Sequence, residues 1–127
     1  MVSISVIKTK NLLLVRERLV LALDVDDFES AKDLVFKLKD YVGVFKIGSQ
    51  LFTSEGAKII NMINKAKARV FLDLKFHDIP NTVKGAAESA TKLGVYMFTI
   101  HTSGSYEMMK AAADAARETS GDPAEKL

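Results

Sequence analysis

Within the ten residues FLDLKFHDIP, positions 71–80, four side chains can carry charge or move a proton: Asp73, Lys75, His77 and Asp78. The segment otherwise reads as a buried strand, where apolar residues stabilise more and an isolated charge is costly. Two other apolar runs hold the same kind of intruder. Asp24 closes LVLALD at 19–24, and Lys46 sits inside VFKIG at 44–48. Side chains alternate along a strand, so Phe71, Asp73 and Lys75 are expected on one face and Leu72, Leu74 and Phe76 on the other. Asp24, Lys46, Asp73 and Lys75 would then form an alternating array in a partly dry pocket, each charge keeping the others ionised. An ammonium set among carboxylates is a proton donor, and that role falls to Lys75. Any one segment alone is also explained by an ion pair on a half-exposed edge strand; recurrence on three neighbouring strands favours a site. Asp78, just past the strand, is a loop residue that is either solvated or reaches outward. His77 reads as an imidazole bonded to backbone in a turn. Asp73, His77 and Asp78 are a poor metal centre, because the lysines would repel a divalent cation; a glutamate in place of Lys46 would reverse that.

The elements that must position these groups follow from four short runs rich in Val, Ile, Leu and Phe: LVLALD, VFKIG, RVFLDLKF at 69–76 and YMFTIH at 96–101. Each is too short for a helix and suits a strand covered on both faces. Helical patterns lie between them. DDFESAKDLVFKLKDYV offers Asp26 as N-cap, with Ala31, Leu34, Val35, Leu38 and Val42 along one face. GAKIINMINKAKA is a second helix, preceded by a turn through SQLF. IPNTVKGAAESATKLG is a third, with Pro80 in its first turn and Gly94 at its end. SYEMMKAAADAARE is a fourth, stopped by Gly121 and Pro123. Strand and helix in alternation imply a parallel sheet with right-handed crossovers. No G-x-G-x-x-G follows the first strand and no phosphate loop is present, which weighs against an open nucleotide-binding sheet and toward part of a (βα)8 barrel. In a barrel the C-terminal strand ends carry the active site, and Asp24, Lys46, Lys75 and His101 all fall near such ends.

At 127 residues, with 48% hydrophobic and 27% charged residues, the chain is expected to build one core. A net charge of +2 from 18 basic and 16 acidic residues points to no nucleic-acid or membrane partner. Cysteine is absent, which excludes disulfides and thiolate chemistry and fits a reducing compartment. The opening MVSISVIKTKNLLLVRER is cut by Lys8, Lys10, Arg16 and Glu17 and shows no cleavage pattern, so a soluble, cytoplasmic protein is expected.

ALDV around Asp24, FKIG around Lys46 and above all DLKFHDIPNT at 73–82 resemble the orotidine 5′-phosphate decarboxylase family, in order from about residue 19 to 118. The resemblance implies an α/β fold, the N-terminal (βα)4 half of a (βα)8 TIM barrel: residues 1–18 an extension, 19–118 four βα units, and 119–127 a polar tail where the chain is cut short. It implies decarboxylation of orotidine 5′-phosphate with no metal or organic cofactor. Lys75 would protonate C6, Asp73 would lie beside the departing carboxylate, Lys46 would link the two aspartates and the ribose, and Asp24 would bind a ribose hydroxyl. Asp78, Ile79 and Thr82 would be substrate-binding positions, Asp78 also counting as catalytic beside Lys75, Asp73 and Lys46, with Asp78 and Thr82 completing the partner's site across a homodimer. HTSGS at 101–105 departs from the family's usual His-Ala-x-Gly-Gly at Thr102 and Ser105. Family members have eight βα units, and a full barrel takes about 250 residues, so the phosphate-gripping loops after strands 7 and 8 are not expected here. Two alternatives stand beside this reading. One is a metal-dependent sugar-phosphate lyase of the 3-keto-gulonate 6-phosphate decarboxylase or hexulose phosphate synthase type, which carries an acid where Lys46 stands. The other is an inactive half-barrel fragment.

Overall fold

The computed structural model describes residues 15–121. Residues 1–14 of the expected N-terminal extension, and Pro123 with the rest of the tail from 122, lie outside them. Four strands, β1 (Val20–Ala22), β2 (Val44–Gly48), β3 (Arg69–Phe76) and β4 (Met97–Ile100), form one sheet in the order β1-β2-β3-β4. Every neighbouring pair is parallel. The connections are α1 (Phe28–Leu38), α2 (Ser49–Glu55) with α3 (Ala57–Lys65), and α4 (Pro80–Lys92). After β4 a single 3-10 turn, Thr102–Gly104, leads into α5 (Tyr106–Ser120).

Local chemistry accounts for the helix limits, with two departures from expectation. The cap of α1 is Asp27 rather than Asp26: its Oδ1 accepts from Ser30 N–H at 2.9 Å. A cap must sit in extended backbone immediately before the first helical residue, and Asp27 does so at φ −143° and ψ 167°. Asp26 instead accepts from Gln50 Nε2 at 2.6 Å, tying the β1 loop to α2. The stretch through SQLF is not a turn but the body of α2, a helix in its own right. Gly56 separates it from α3 at φ 62° and ψ −154°, backbone open almost only to glycine. Pro80 opens α4 as expected, and Gly94 and Gly121 close α4 and α5 with positive φ.

The helices supply one wall of the core. Phe45 and Ile47 of β2 and Val70 and Leu72 of β3 are fully or almost fully buried against Ala31 and Val35 of α1 and Ile59, Ile60 and Ile63 of α3. Each such aliphatic or aromatic side chain contributes roughly 1.5–3 kcal/mol on burial. A second cluster, Val83 and Ala87 with Met108, Ala112 and Ala115, packs α4 against α5 through small residues. With alternate residues of β2 and β3 committed to the helices, Lys46, Phe71 and Asp73 are turned to the other face. Lys46 lies beside Phe71 and Gly48 beside Asp73 in the register, so the charged groups of two strands arrive within side-chain reach. No helix among the described residues is long and apolar enough to cross a membrane.

Candidate active site

Asp73 is the one buried charged residue among those described, 9% exposed. Its carboxylate is fully engaged. Oδ2 accepts from Lys75 Nζ at 2.9 Å and from Lys46 Nζ at 3.3 Å, and Oδ1 accepts from the Thr99 hydroxyl at 2.8 Å. The Lys75 hydrogen bond, foremost, holds the Asp73 carboxyl below its ordinary value; burial pushes the other way, and Thr99 and Lys46 reinforce the lowering. The side chain of Lys46 is 26% exposed and that of Lys75 57%, so Lys75 is the more open to solvent of the two.

The backbone that aims Lys75 is not the simple strand the sequence predicts. Lys75 has φ 53°, in the left-handed region. Between Leu72, which lies beside Phe98, and Phe76, which lies beside Ile100, three residues of β3 face a single residue of β4, Thr99. Leu74 and Phe76 still pack toward the helix side with Leu72 while Lys75 meets Asp73, so the expected faces hold across the irregularity, which distorts the backbone at Lys75. The Lys75 amide donates to Thr99 Oγ1 at 2.9 Å. Thr99 is the residue sequence reasoning missed; its only signal was a hydroxyl inside the otherwise apolar YMFTIH.

The other expected positions are arranged around this cluster without touching it. Asp24 is exposed just beyond β1, and among the described residues no hydrogen bond or ion pair joins it to Lys46, Asp73 or Lys75. The observed cluster is thus Lys46, Asp73 and Lys75 with Thr99, and Asp24 stands apart. Asp78 is exposed and accepts from the Ile79 amide at 2.7 Å. Ile79, 66% exposed, precedes α4, and Thr82 is exposed in its first turn. Asp78 and Ile79 themselves line a cleft of about 430 Å³ together with His77, Pro80 and residues 103–105, and Thr82 is not part of its lining. The His77 ring is stacked on His101, with centroids 4.9 Å apart and planes at 27°. Among the described residues no three His, Cys, Asp or Glu side chains gather as a cation site, and both ammoniums already occupy Asp73 Oδ2.

Residues 17–126 match the profile of the "Orotidine 5'-phosphate decarboxylase / HUMPS family". The chain belongs to this family. A curated orotidine 5′-phosphate decarboxylase of Syntrophotalea carbinolica is 52% identical over 103 residues, 81% of this chain and 42% of that protein. That of Moorella thermoacetica is 46% identical over 103 residues, covering 81% and 41%. The crystal structure of orotidine 5′-phosphate decarboxylase from Lactobacillus acidophilus superposes with a TM-score of 0.72 at 34% identity, over 83% of this chain and 47% of that one. The Pyrococcus horikoshii OT3 enzyme gives 0.73 at 29% identity, over 78% and 48%. The chain therefore spans less than half the length of the relatives it matches, and its four parallel βα units correspond to about half of their TIM barrel.

Proposed function

We propose that this chain provides the reacting half of an orotidine 5′-phosphate decarboxylase, which converts orotidine 5′-phosphate to uridine 5′-phosphate and carbon dioxide. The observation that carries the reading is the sharing of Asp73 Oδ2 between Lys75 at 2.9 Å and Lys46 at 3.3 Å. In the reaction the bond between pyrimidine C6 and its carboxylate breaks, the electron pair stays on C6, and carbon dioxide departs. Lys75, the more exposed ammonium, supplies the proton that C6 takes up and regains one from water. Asp73 would lie beside the departing carboxylate. Its charge holds Lys75 in place and opposes a second anion, an opposition relieved as the carboxylate leaves neutral. Lys46 offsets that crowding from the other side and, with Asp24, is assigned to the ribose hydroxyls. No step requires a metal or organic cofactor. Asp78, Ile79 and Thr82, all exposed, suit a homodimer in which Asp78 and Thr82 complete the partner's site. The phosphate would be gripped by loops of a second (βα)4 half, and that remote binding would be spent at the reacting centre.

The test is Lys75→Ala in the full-length protein carrying this sequence. Turnover, followed by loss of orotidylate absorbance, is expected to fall by at least roughly 100-fold, the low end for a lost general acid, with nucleotide binding still measurable. Near-normal turnover in that variant removes Lys75 from the role.

A further inference from the structure

We propose that Thr99 is a positioning residue for this reaction, a single hydroxyl that fixes both the carboxylate of Asp73 and the backbone of Lys75. The inference rests on the decarboxylase reading and adds a residue to it. Its ground is the mismatch between β3 and β4. From Leu72 to Phe76 the β3 strand carries three residues against one, so the regular ladder is interrupted where the Lys75 amide stands. The side chain of Thr99 takes this donor at 2.9 Å, at a position open to solvent. The same oxygen then has its own proton free to give, and gives it to Asp73 Oδ1 at 2.8 Å. A hydroxyl can accept and donate at once; neither valine nor alanine at this position can do either.

Both ends of this bridge matter for where the Lys75 ammonium sits. A left-handed φ of 53° is unfavourable for lysine and persists only where the surroundings over-determine it. The terminal torsion of a carboxylate is broad, so without an anchor on Oδ1 the Asp73 carboxylate can turn and move Oδ2, to which both lysines are bound. Thr99 thus restrains both the Lys75 backbone and the Asp73 carboxylate to which Lys75 Nζ is bound. The Thr99 hydrogen bond also helps to hold the Asp73 carboxyl below its ordinary value. An ordinary strand residue would have only a packing role, and valine, with higher β preference and nearly the same shape, would replace it without loss.

The experiment compares Thr99→Val and Thr99→Ser in the full-length protein. In the full-length protein, Thr99→Val is expected to lower kcat roughly 10- to 100-fold, the range for one hydrogen bond to a charged group, with KM little changed and Thr99→Ser restoring most of the rate. In the same protein, carbon-detected NMR is expected to show the Asp73 carboxyl titrating at higher pH in Thr99→Val than in the unsubstituted protein. Retained kcat in Thr99→Val, or no rescue by Thr99→Ser, overturns the proposal. A measurement on the unsubstituted protein guards against a variant that fails to fold: the Lys75 amide should exchange slowly with solvent, and rapid exchange overturns the proposal as well. If the unsubstituted full-length protein fails to decarboxylate orotidylate, the reaction assignment falls, while the Asp73 titration and the Lys75 amide still decide for or against the clamp.

Discussion

Lys75 occupies a backbone conformation that its side chain disfavours, and this can be measured apart from its chemistry. The comparison is Lys75→Gly against Lys75→Ala. Both remove the ammonium and its 2.9 Å contact with Asp73, so that loss cancels between them. What remains is the φ of 53°. Left-handed backbone costs an L-residue with a Cβ roughly 1–2 kcal/mol, which alanine retains and glycine escapes. Glycine has the greater freedom in the unfolded chain, which costs it about 0.4–1 kcal/mol relative to alanine. The difference leaves Lys75→Gly more stable than Lys75→Ala by about 0.5–1 kcal/mol. In an ordinary strand interior the order is the reverse, alanine being favoured by roughly 0.5–1 kcal/mol. Urea titration of the two variants of the full-length protein, at one protein concentration and followed by circular dichroism, reads the difference as a shift in midpoint at constant slope. A Lys75→Ala variant as stable as Lys75→Gly, or more so, refutes the strained conformation.

Three other outcomes are expected. The Asp73 carboxyl is lowered in the folded state, so its contribution is present above the unfolded value near pH 4 and is lost as pH falls through the folded value; the stability gap between the unsubstituted chain and Asp73→Asn should narrow below about pH 4, and a gap that is constant with pH contradicts the ion cluster. Because Lys46 contacts Asp73 where a metal-dependent lyase would carry an acid, decarboxylation by the full-length protein should persist in EDTA; activity lost in chelator and restored by magnesium would favour the lyase reading. The 127-residue chain by itself pairs β1 only with β2 and β4 only with β3 among its described strands, with Leu19 and Val20 47% and 48% exposed. It should therefore self-associate and show no orotidylate decarboxylation, and sedimentation as a monomer that turns over substrate would contradict this.

The parts of this fold legible in the sequence are those written in local pattern. Four β-rich runs separated by amphipathic stretches give four strands and their connecting helices, and charges inside VFKIG and FLDLKF mark the site because burial makes them costly. Lys46, Asp73 and Lys75 come together as that reasoning expects. What could not be read depends on geometry between elements. Choosing Asp27 over Asp26 as the α1 cap turns on which residue is the last one extended, and two adjacent aspartates look alike in sequence. SQLF reads as a turn because Gly56 interrupts the helical pattern, whereas the structure uses that glycine to join two helices. Thr99 and the left-handed Lys75 were invisible for a shared reason: the hydroxyl becomes meaningful only when β4 is set beside an irregular β3. The His77 and His101 stack likewise joins the ends of two strands, and nothing near either histidine announces it.

The clamp on Lys75 has a consequence for the order of events on the ribosome. Its hydroxyl lies 24 residues downstream of the amide it holds. At roughly 5–20 residues per second, translation leaves an interval on the order of 1–5 s in which Lys75 has been made and Thr99 has not. Throughout that interval nothing from β4 supports the left-handed backbone, and the nascent β3 is free to run as a regular strand with the lysine swung elsewhere. The emergence of β4 therefore does more than add a strand: it brings the hydroxyl that holds the amide of an already synthesised lysine in left-handed backbone.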